Sequence, residues 1–292
     1  ETESMQLALQ EAQKYKEEQS AQNAKILEEN NLKIDDIDII AAPHDPKNKD
    51  TYVKEIVKTI DENSTHVPEL VYLDHHMAHI CDSVFQSGFD HCACLIVDGQ
   101  GDARDGITLA KYNNGKIEIL KKFPASLSVG IMYSCASNGF LNLLEFSEGK
   151  LMGLASYGKP THKMPLYWED NTIKSRFPAG LGSDLSPEEF IKYERIFARY
   201  FVSNCYPYRT FDSSYKDNVM YYVDFAASVQ KTYEEIVLNV VKQLKDLVGD
   251  ETNLILSGGC IQNCICNNLI VESKLFDNIF AGPAPHDAGC AA

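Results

Sequence analysis

Basic charge is scarce in this chain. Lysine and arginine together number 27 against 42 aspartates and glutamates, a net charge of −15. That balance argues against non-specific binding to nucleic acid or to an anionic membrane surface, since both need a basic patch. Anionic ligands are still allowed, because backbone N–H groups bind them locally. Long apolar runs are also missing: no stretch approaches the roughly 18 residues of a membrane-spanning helix. The acidic start, Glu1-Thr2-Glu3-Ser4, is not a secretory signal. The nine cysteines follow no zinc-finger spacing and lie mostly in apolar runs, so they read as reduced core residues of a cytoplasmic protein. Tryptophan occurs once, and no repeat or low-complexity linker breaks the 292 residues.

What the chain does have is a histidine cluster. Asp74-His75-His76-Met77-Ala78-His79 holds three of the eight histidines behind the strand-like run Val71-Tyr72-Leu73. On a helix, His75 and His79 share one face with Cβ atoms roughly 5–6 Å apart, a spacing at which two imidazoles hold one metal ion. A third ligand must come from elsewhere. Ligation requires neutral imidazole, so metal binding is expected to weaken below about pH 6.

Residues 1–32 read as a helix with a thin apolar stripe. Short strands follow at 37–42 and 70–73, around a helical period at 51–62. From residue 91 the pattern is a β-meander, Cys92–Val97, Ile107–Tyr112 and Ile117–Leu120, with an Asn-Asn-Gly-Lys turn of hairpin type. Residues 160–220 resist assignment. A long amphipathic helix spans 222–248, then a strand at 254–256, a helix from Cys260, and a strand at 276–280. These suggest two lobes, 1–90 with the histidine helix and 91–292.

Three turns could carry chemistry. Asp98-Gly99-Gln100-Gly101-Asp102 links two strands, and its glycines could bring backbone N–H groups to a phosphate while its aspartates hold a metal or a water; an ordinary hairpin loop is the alternative. Ser257-Gly258-Gly259-Cys260 puts a helix N-terminus after a strand, suited to a nucleotide or simply to close packing, and no Gly-Lys-Ser/Thr of a Walker loop follows. Asp287, in Pro285-His286-Asp287, could cap a helix or complete a two-histidine metal site with one face open to substrate. Lys150, in Gly149-Lys150-Leu151-Met152-Gly153, could meet phosphate or snorkel at the surface.

In series, Asp74-His75-His76-x-Ala78-His79, Val97-Asp98-Gly99-x-Gly101-Asp102, Gly149-Lys150-x-Met152-Gly153-Leu154-Ala155-x-Tyr157-Gly158, Ala226-Ala227-Ser228-Val229-Gln230, Ser257-Gly258-Gly259-x-x-x-Asn263 and Pro283-Ala284-x-x-Asp287-x-Gly289 resemble the NodU/CmcH carbamoyltransferases over residues about 35–292. The resemblance implies an α/β, two-lobed actin/sugar kinase/Hsp70-like ATPase fold, as in the tRNA threonylcarbamoyl-transfer proteins. It implies carbamoyl transfer from carbamoyl phosphate, through an ATP-derived carbamoyl-adenylate, to the hydroxyl of a small-molecule acceptor. His75, His79 and Asp287 would hold a divalent metal, iron or zinc. Asp98, Gly99, Gly101, Asp102, Lys150, Gly258, Gly259 and Asn263 would form the nucleotide pocket. It also implies a chain incomplete at both ends, without the family's first phosphate-contacting hairpin and its separate adenylate-forming domain. A tRNA threonylcarbamoyl transferase-like protein and a non-catalytic ATPase-fold binding module are the alternatives.

Overall fold

The computed structural model describes residues 24–42, 49–141, 143, 147–176, 200–201 and 219–287. The chain groups into two compact units, Glu1–Asp74 and His75–Ala292. In the first, helix at 24–29 is the described part of the helix expected over 1–32. Strands β1 (Ile39–Ala42) and β2 (Glu69–Tyr72) pair in parallel around helix α1 (Lys49–Ile60). Val53 and Val57, one turn apart on α1, bury against Ile34, with Ile40 and Leu70 packed alongside.

The second unit is built on one five-stranded sheet of order β5-β4-β3-β8-β9. Strands β3 (His91–Val97), β4 (Asp105–Asn113) and β5 (Lys116–Pro124) form the antiparallel meander, while β8 (Asn253–Ser257) and β9 (Asn278–Ala281) run parallel to β3. A small hairpin, β6 (Leu166–Glu169) with β7 (Thr172–Ser175), stands apart from it. Every residue from Cys92 to Val97 is buried, as a continuous apolar run predicts for a strand covered on both faces. Helix α2 (His75–Ser87) covers one face, with Ile80 and Val84 against Cys92, Cys94, Ile96 and Ile255. The histidine helix therefore belongs with the second unit, where the sequence reading put it with residues 1–90. Ala93, Leu95 and Val97 face the larger core, which takes in Phe225, Val229, Ile236 and Val240 of helix α5 (Val219–Val248). Helices α3 (Val129–Ser134) and α4 (Glu148–Ala155) precede α5, and α6 (Cys264–Glu272) follows β8. Of the seven described cysteines, Cys92, Cys94, Cys135 and Cys266 are buried as core residues, whereas Cys81 and Cys264 are exposed, against the core reading. Among the described residues no helix is long and apolar enough to cross a membrane.

Glu251 fastens the lower end of the sheet. Its carboxylate accepts from the Thr252 and Asn253 amides at 2.9 and 3.0 Å and faces His91 Nδ1 at 2.9 Å. Burial alone would raise its pKa, but the Asn253 amide and the His91 contact outweigh it and hold the group below the usual glutamate range. A carboxylate with a depressed folded pKa stabilises the fold above its unfolded pKa, and that stabilisation is lost as pH falls through the folded value. Glu251→Gln is expected to cost about 1–2 kcal/mol at pH 7. Urea unfolding at stepped pH checks this: the gap to the unsubstituted chain should close as the pH falls below the ordinary glutamate range.

Candidate metal and nucleotide site

The parallel strands set the site. Ile96 pairs with Ser257 and Leu256 with Ala281, so β3, β8 and β9 end at one level. The turns leaving them carry Asp98, Gly258-Gly259 and Asp287 to one edge of the sheet. Ligands of open α/β sheets bind beyond the carboxyl ends of parallel strands, at such an edge. Helix α2 starts there too, with His75 in its first turn and His79 one turn on.

The four side chains converge. His75 Nε2 lies 3.0 Å from Asp98 Oδ2 and 3.3 Å from Asp287 Oδ1, and His79 Nε2 lies 3.6 Å from both oxygens. All four ligand atoms fall within 4.8 Å of one another. Metal–ligand bonds of about 2.1 Å set at tetrahedral or octahedral angles separate neighbouring ligand atoms by about 3.0–3.4 Å. The two His75 separations fall in that range and the two from His79 are slightly longer, and two imidazoles with two carboxylates suit a divalent cation such as zinc or iron. Asp98 joins the expected trio of His75, His79 and Asp287. Its other oxygen is held by the amides of Gly99 at 2.8 Å and Gly259 at 3.2 Å, which orient it. His79 Nδ1 is set by Ser257 Oγ at 3.3 Å, an outer contact of the kind that fixes ligand tautomers.

The charges are mutually dependent. Hydrogen bonds to Asp287 and then to Asp98 push His75 up to about 10, against a smaller desolvation effect. Burial would raise Asp98, but His75 and His79 hold it far below the usual carboxylate range. His75 and His79 likewise hold Asp287 down. The carboxylates thus carry proton competition for His75 well above the free-imidazole range near pH 6.

A cavity of about 680 Å³ opens beside the cluster, and Asp98 and Asp287 belong to its wall. That volume suits a nucleotide-sized ligand. Gly99, Gly259 and Asn263 also line it, whereas Gly101, Asp102, Gly258 and Lys150 do not. Lys150 is exposed on α4, between the wall residues Gly149 and Met152. Asp102 is exposed on its hairpin.

The glycines serve differently from the phosphate cradle expected of them. The Gly99 and Gly259 amides are donated to Asp98, the Gly101 amide to Asp105 O at 2.8 Å, and the Gly258 amide to Pro285 O at 2.7 Å. These turns spend their N–H groups on shaping the cation cluster and the Pro285-His286-Asp287 segment.

Sequence reasoning missed one wall of the cavity. Tyr133, Ser134 and Glu148 line it, and Ser134 Oγ donates to Glu148 Oε1 at 2.7 Å. Gln230, central to the Ala226–Gln230 motif, organises Tyr133 and Asn263. Its Oε1 accepts from Tyr133 Oη at 2.8 Å and Asn263 Nδ2 at 2.9 Å. Its Nε2 donates to Glu234 Oε1 at 2.9 Å and Asn263 Oδ1 at 3.1 Å. Glu234 only accepts, and the Cys266 amide, capped by Asn263 Oδ1 at 3.1 Å, only donates, so the orientation of both carboxamides follows. Burial raises the Tyr133 pKa well above that of a free phenol, which keeps its donor proton.

Gly149 offers a clean test of the cavity. A side chain there meets no atom within 4 Å of its first carbon, yet the residue lines the wall. Gly149→Leu also replaces a helical glycine, a change worth up to about 1 kcal/mol in favour of the helix. The variant is expected to match or exceed the unsubstituted chain in thermal stability while binding ATP at least tenfold more weakly in a calorimetric titration.

The carboxyl edge of the sheet thus brings four candidate cation ligands together with a cavity of about 680 Å³. Residues 6–292 match the family described as Carbamoyltransferase N-terminus, and the chain belongs to that family. It is similar to the nodulation protein NolNO of Sinorhizobium fredii (strain NBRC 101917 / NGR234), with 30% identity over 225 residues, 75% of this chain and 30% of that protein. It is similar to NolO of Bradyrhizobium diazoefficiens at 29% over 219 residues, 75% of this chain and 37% of that protein. The chain thus spans 30% and 37% of the lengths of these relatives. Among solved structures, HypF of T. kodakarensis superposes with a TM-score of 0.49 at 16% identity, over 89% of this chain and 40% of that one.

Proposed function

We propose that this chain forms the transfer site of an O-carbamoyltransferase, the second lobe of a two-lobed actin/sugar kinase/Hsp70-like ATPase fold holding most of that site. One observation carries the reading: in a chain of the carbamoyltransferase family, Asp98 and Asp287 belong both to the cation cluster and to the cavity wall. A ligand in the cavity therefore lies against the cluster. In this reading the donor is a carbamoyl-adenylate made from ATP and carbamoyl phosphate in a separate domain.

The acceptor hydroxyl oxygen bonds to the carbamoyl carbon. The bond from that carbon to the adenylate oxygen breaks, AMP leaves with the electron pair, and the hydroxyl proton passes to solvent. His75, His79, Asp98 and Asp287 would hold a divalent cation, which when bound would supply a Lewis acid and a template for the transfer. The protein's own contribution is positional. Asp98 is fixed by two backbone amides, and Asn263 and Tyr133 by Gln230.

The test uses the full-length protein with radiolabelled carbamoyl phosphate, ATP and a panel of sugar hydroxyl acceptors. Labelled O-carbamate and AMP should appear in equal amounts, and His79→Ala should form neither O-carbamate nor the matching AMP. Label transfer unaffected by chelation and by His79→Ala would overturn the role given to the cluster. Transfer to tRNA instead of to any small hydroxyl would overturn the acceptor class.

A further inference from the structure

His76 lies between the two cation ligands in sequence but points elsewhere. It is 2% exposed, and its Nδ1 lies 2.7 Å from Thr108 Oγ1 on β4, a residue with no exposed surface. The other edge of its ring rests on Gly101. A Cβ built on Gly101 would come 2.8 Å from His76 Cδ2 and 3.0 Å from Nε2, closer than side-chain atoms pack. Gly101 is itself set in the β3–β4 turn, its amide on Asp105 O at 2.8 Å and its carbonyl accepting from Arg104 N at 2.9 Å. The same turn carries Asp98, whose amide is bonded to Gly106 O at 2.9 Å. The ring of His76 is thus a spacer. One side is bonded to the strand behind the turn and the other is pressed on the turn itself, while its backbone belongs to the helix that presents His75 and His79.

We propose that His76 is a positioning residue for the cation cluster: wedged between Thr108 and Gly101, it sets the separation of helix α2 from the Asp98 turn, and so the 3.0–3.6 Å distances from the His75 and His79 Nε2 atoms to Asp98. This rests on the cation reading above. It also explains the glycine at position 101, which is not part of the described cavity wall and donates its amide to Asp105 O: its missing side chain is the space the imidazole fills.

A double-mutant cycle separates this role from general packing, because residues that share one space couple while independent ones add. Co²⁺ titration of the full chain, followed by the visible absorption of the bound ion, reads affinity and ligand geometry together. His76→Ala and Gly101→Ala are each expected to lower Co²⁺ affinity at least tenfold and to shift the cobalt bands. In the double variant the methyl at position 101 enters space left by the ring, so its affinity should be no lower than that of the weaker single variant. His76→Asn, which can still reach Thr108, should recover part of the loss; together with Gly101→Ala it carries the test if His76→Ala does not fold. Additive losses, or single variants with unchanged affinity and spectrum, overturn the role of His76. A chain that binds no Co²⁺ at all overturns the cation reading itself.

Discussion

Asp98→Ala is expected to weaken Co²⁺ binding by at least a hundredfold, a loss of about 2.7 kcal/mol. Asp98 is the most enclosed carboxylate of the cluster, its side chain 11% exposed against 74% for Asp287. It faces both histidines, and its second oxygen satisfies the Gly99 and Gly259 amides. Alanine removes a charged ligand and leaves two amides without that acceptor, so the turns after β3 and β8 lose their common anchor as well. Asp98→Asn keeps an oxygen for the amides but not the charge, and should fall between the two. Asp287→Ala, which removes a solvent-screened group, should cost about tenfold by the same reasoning. Calorimetric Co²⁺ titration of the three variants checks the order. An Asp98→Ala chain within threefold of the unsubstituted one would show that Asp98 is not a ligand.

Gly258→Ala is expected to destabilise the fold by roughly 2–6 kcal/mol, combining backbone strain with overpacking. Gly258 has φ 96° and ψ 154°, a region essentially confined to glycine. A Cβ there would stand 2.3 Å from the carbonyl oxygen of Val97 and 2.7 Å from its carbonyl carbon. Neither can retreat, because Val97 is fully buried in the central strand. Relief would have to come from the turn itself, which carries the Gly259 amide off Asp98 and the Gly258 amide off Pro285 O. The variant should therefore lose Co²⁺ affinity together with stability. Denaturant unfolding with an intact Co²⁺ titration would contradict this coupling.

These two residues also mark how far sequence reasoning reaches. The pairing of His75 with His79 was legible because a helix fixes it locally: four positions make one turn. The meander and the long helix were legible for the same reason, from period and turn residues. Asp287 was legible from its turn as either a helix cap or a third ligand, and the geometry brings it to the histidines from more than 200 positions away. Asp98 was visible as an aspartate beside a glycine turn, but its place among the ligands depends on α2 packing over β3, which no local pattern encodes. The use of the glycine amides was hidden for a like reason, since the partner of Gly258 is the carbonyl of Pro285, beyond another helix and strand. Lys150 shows the converse: its motif is shared with wall residues Gly149 and Met152, yet the helix turns it to solvent. Tyr133, Ser134 and Glu148 gave no signal because each is an ordinary residue in its own helix. The segments at 177–199 and 202–218 lie outside the described residues, as does most of the stretch the sequence left unassigned.

The central claim is that His75, His79, Asp98 and Asp287 hold one divalent cation at the rim of the cavity. Anomalous diffraction from crystals of the chain grown with Co²⁺ and ATP tests it most directly. The account predicts a single strong peak about 2.0–2.2 Å from one atom of each of the four side chains, with the ATP phosphates beside it. No peak at the cluster, or a peak there with the nucleotide bound elsewhere, would contradict it.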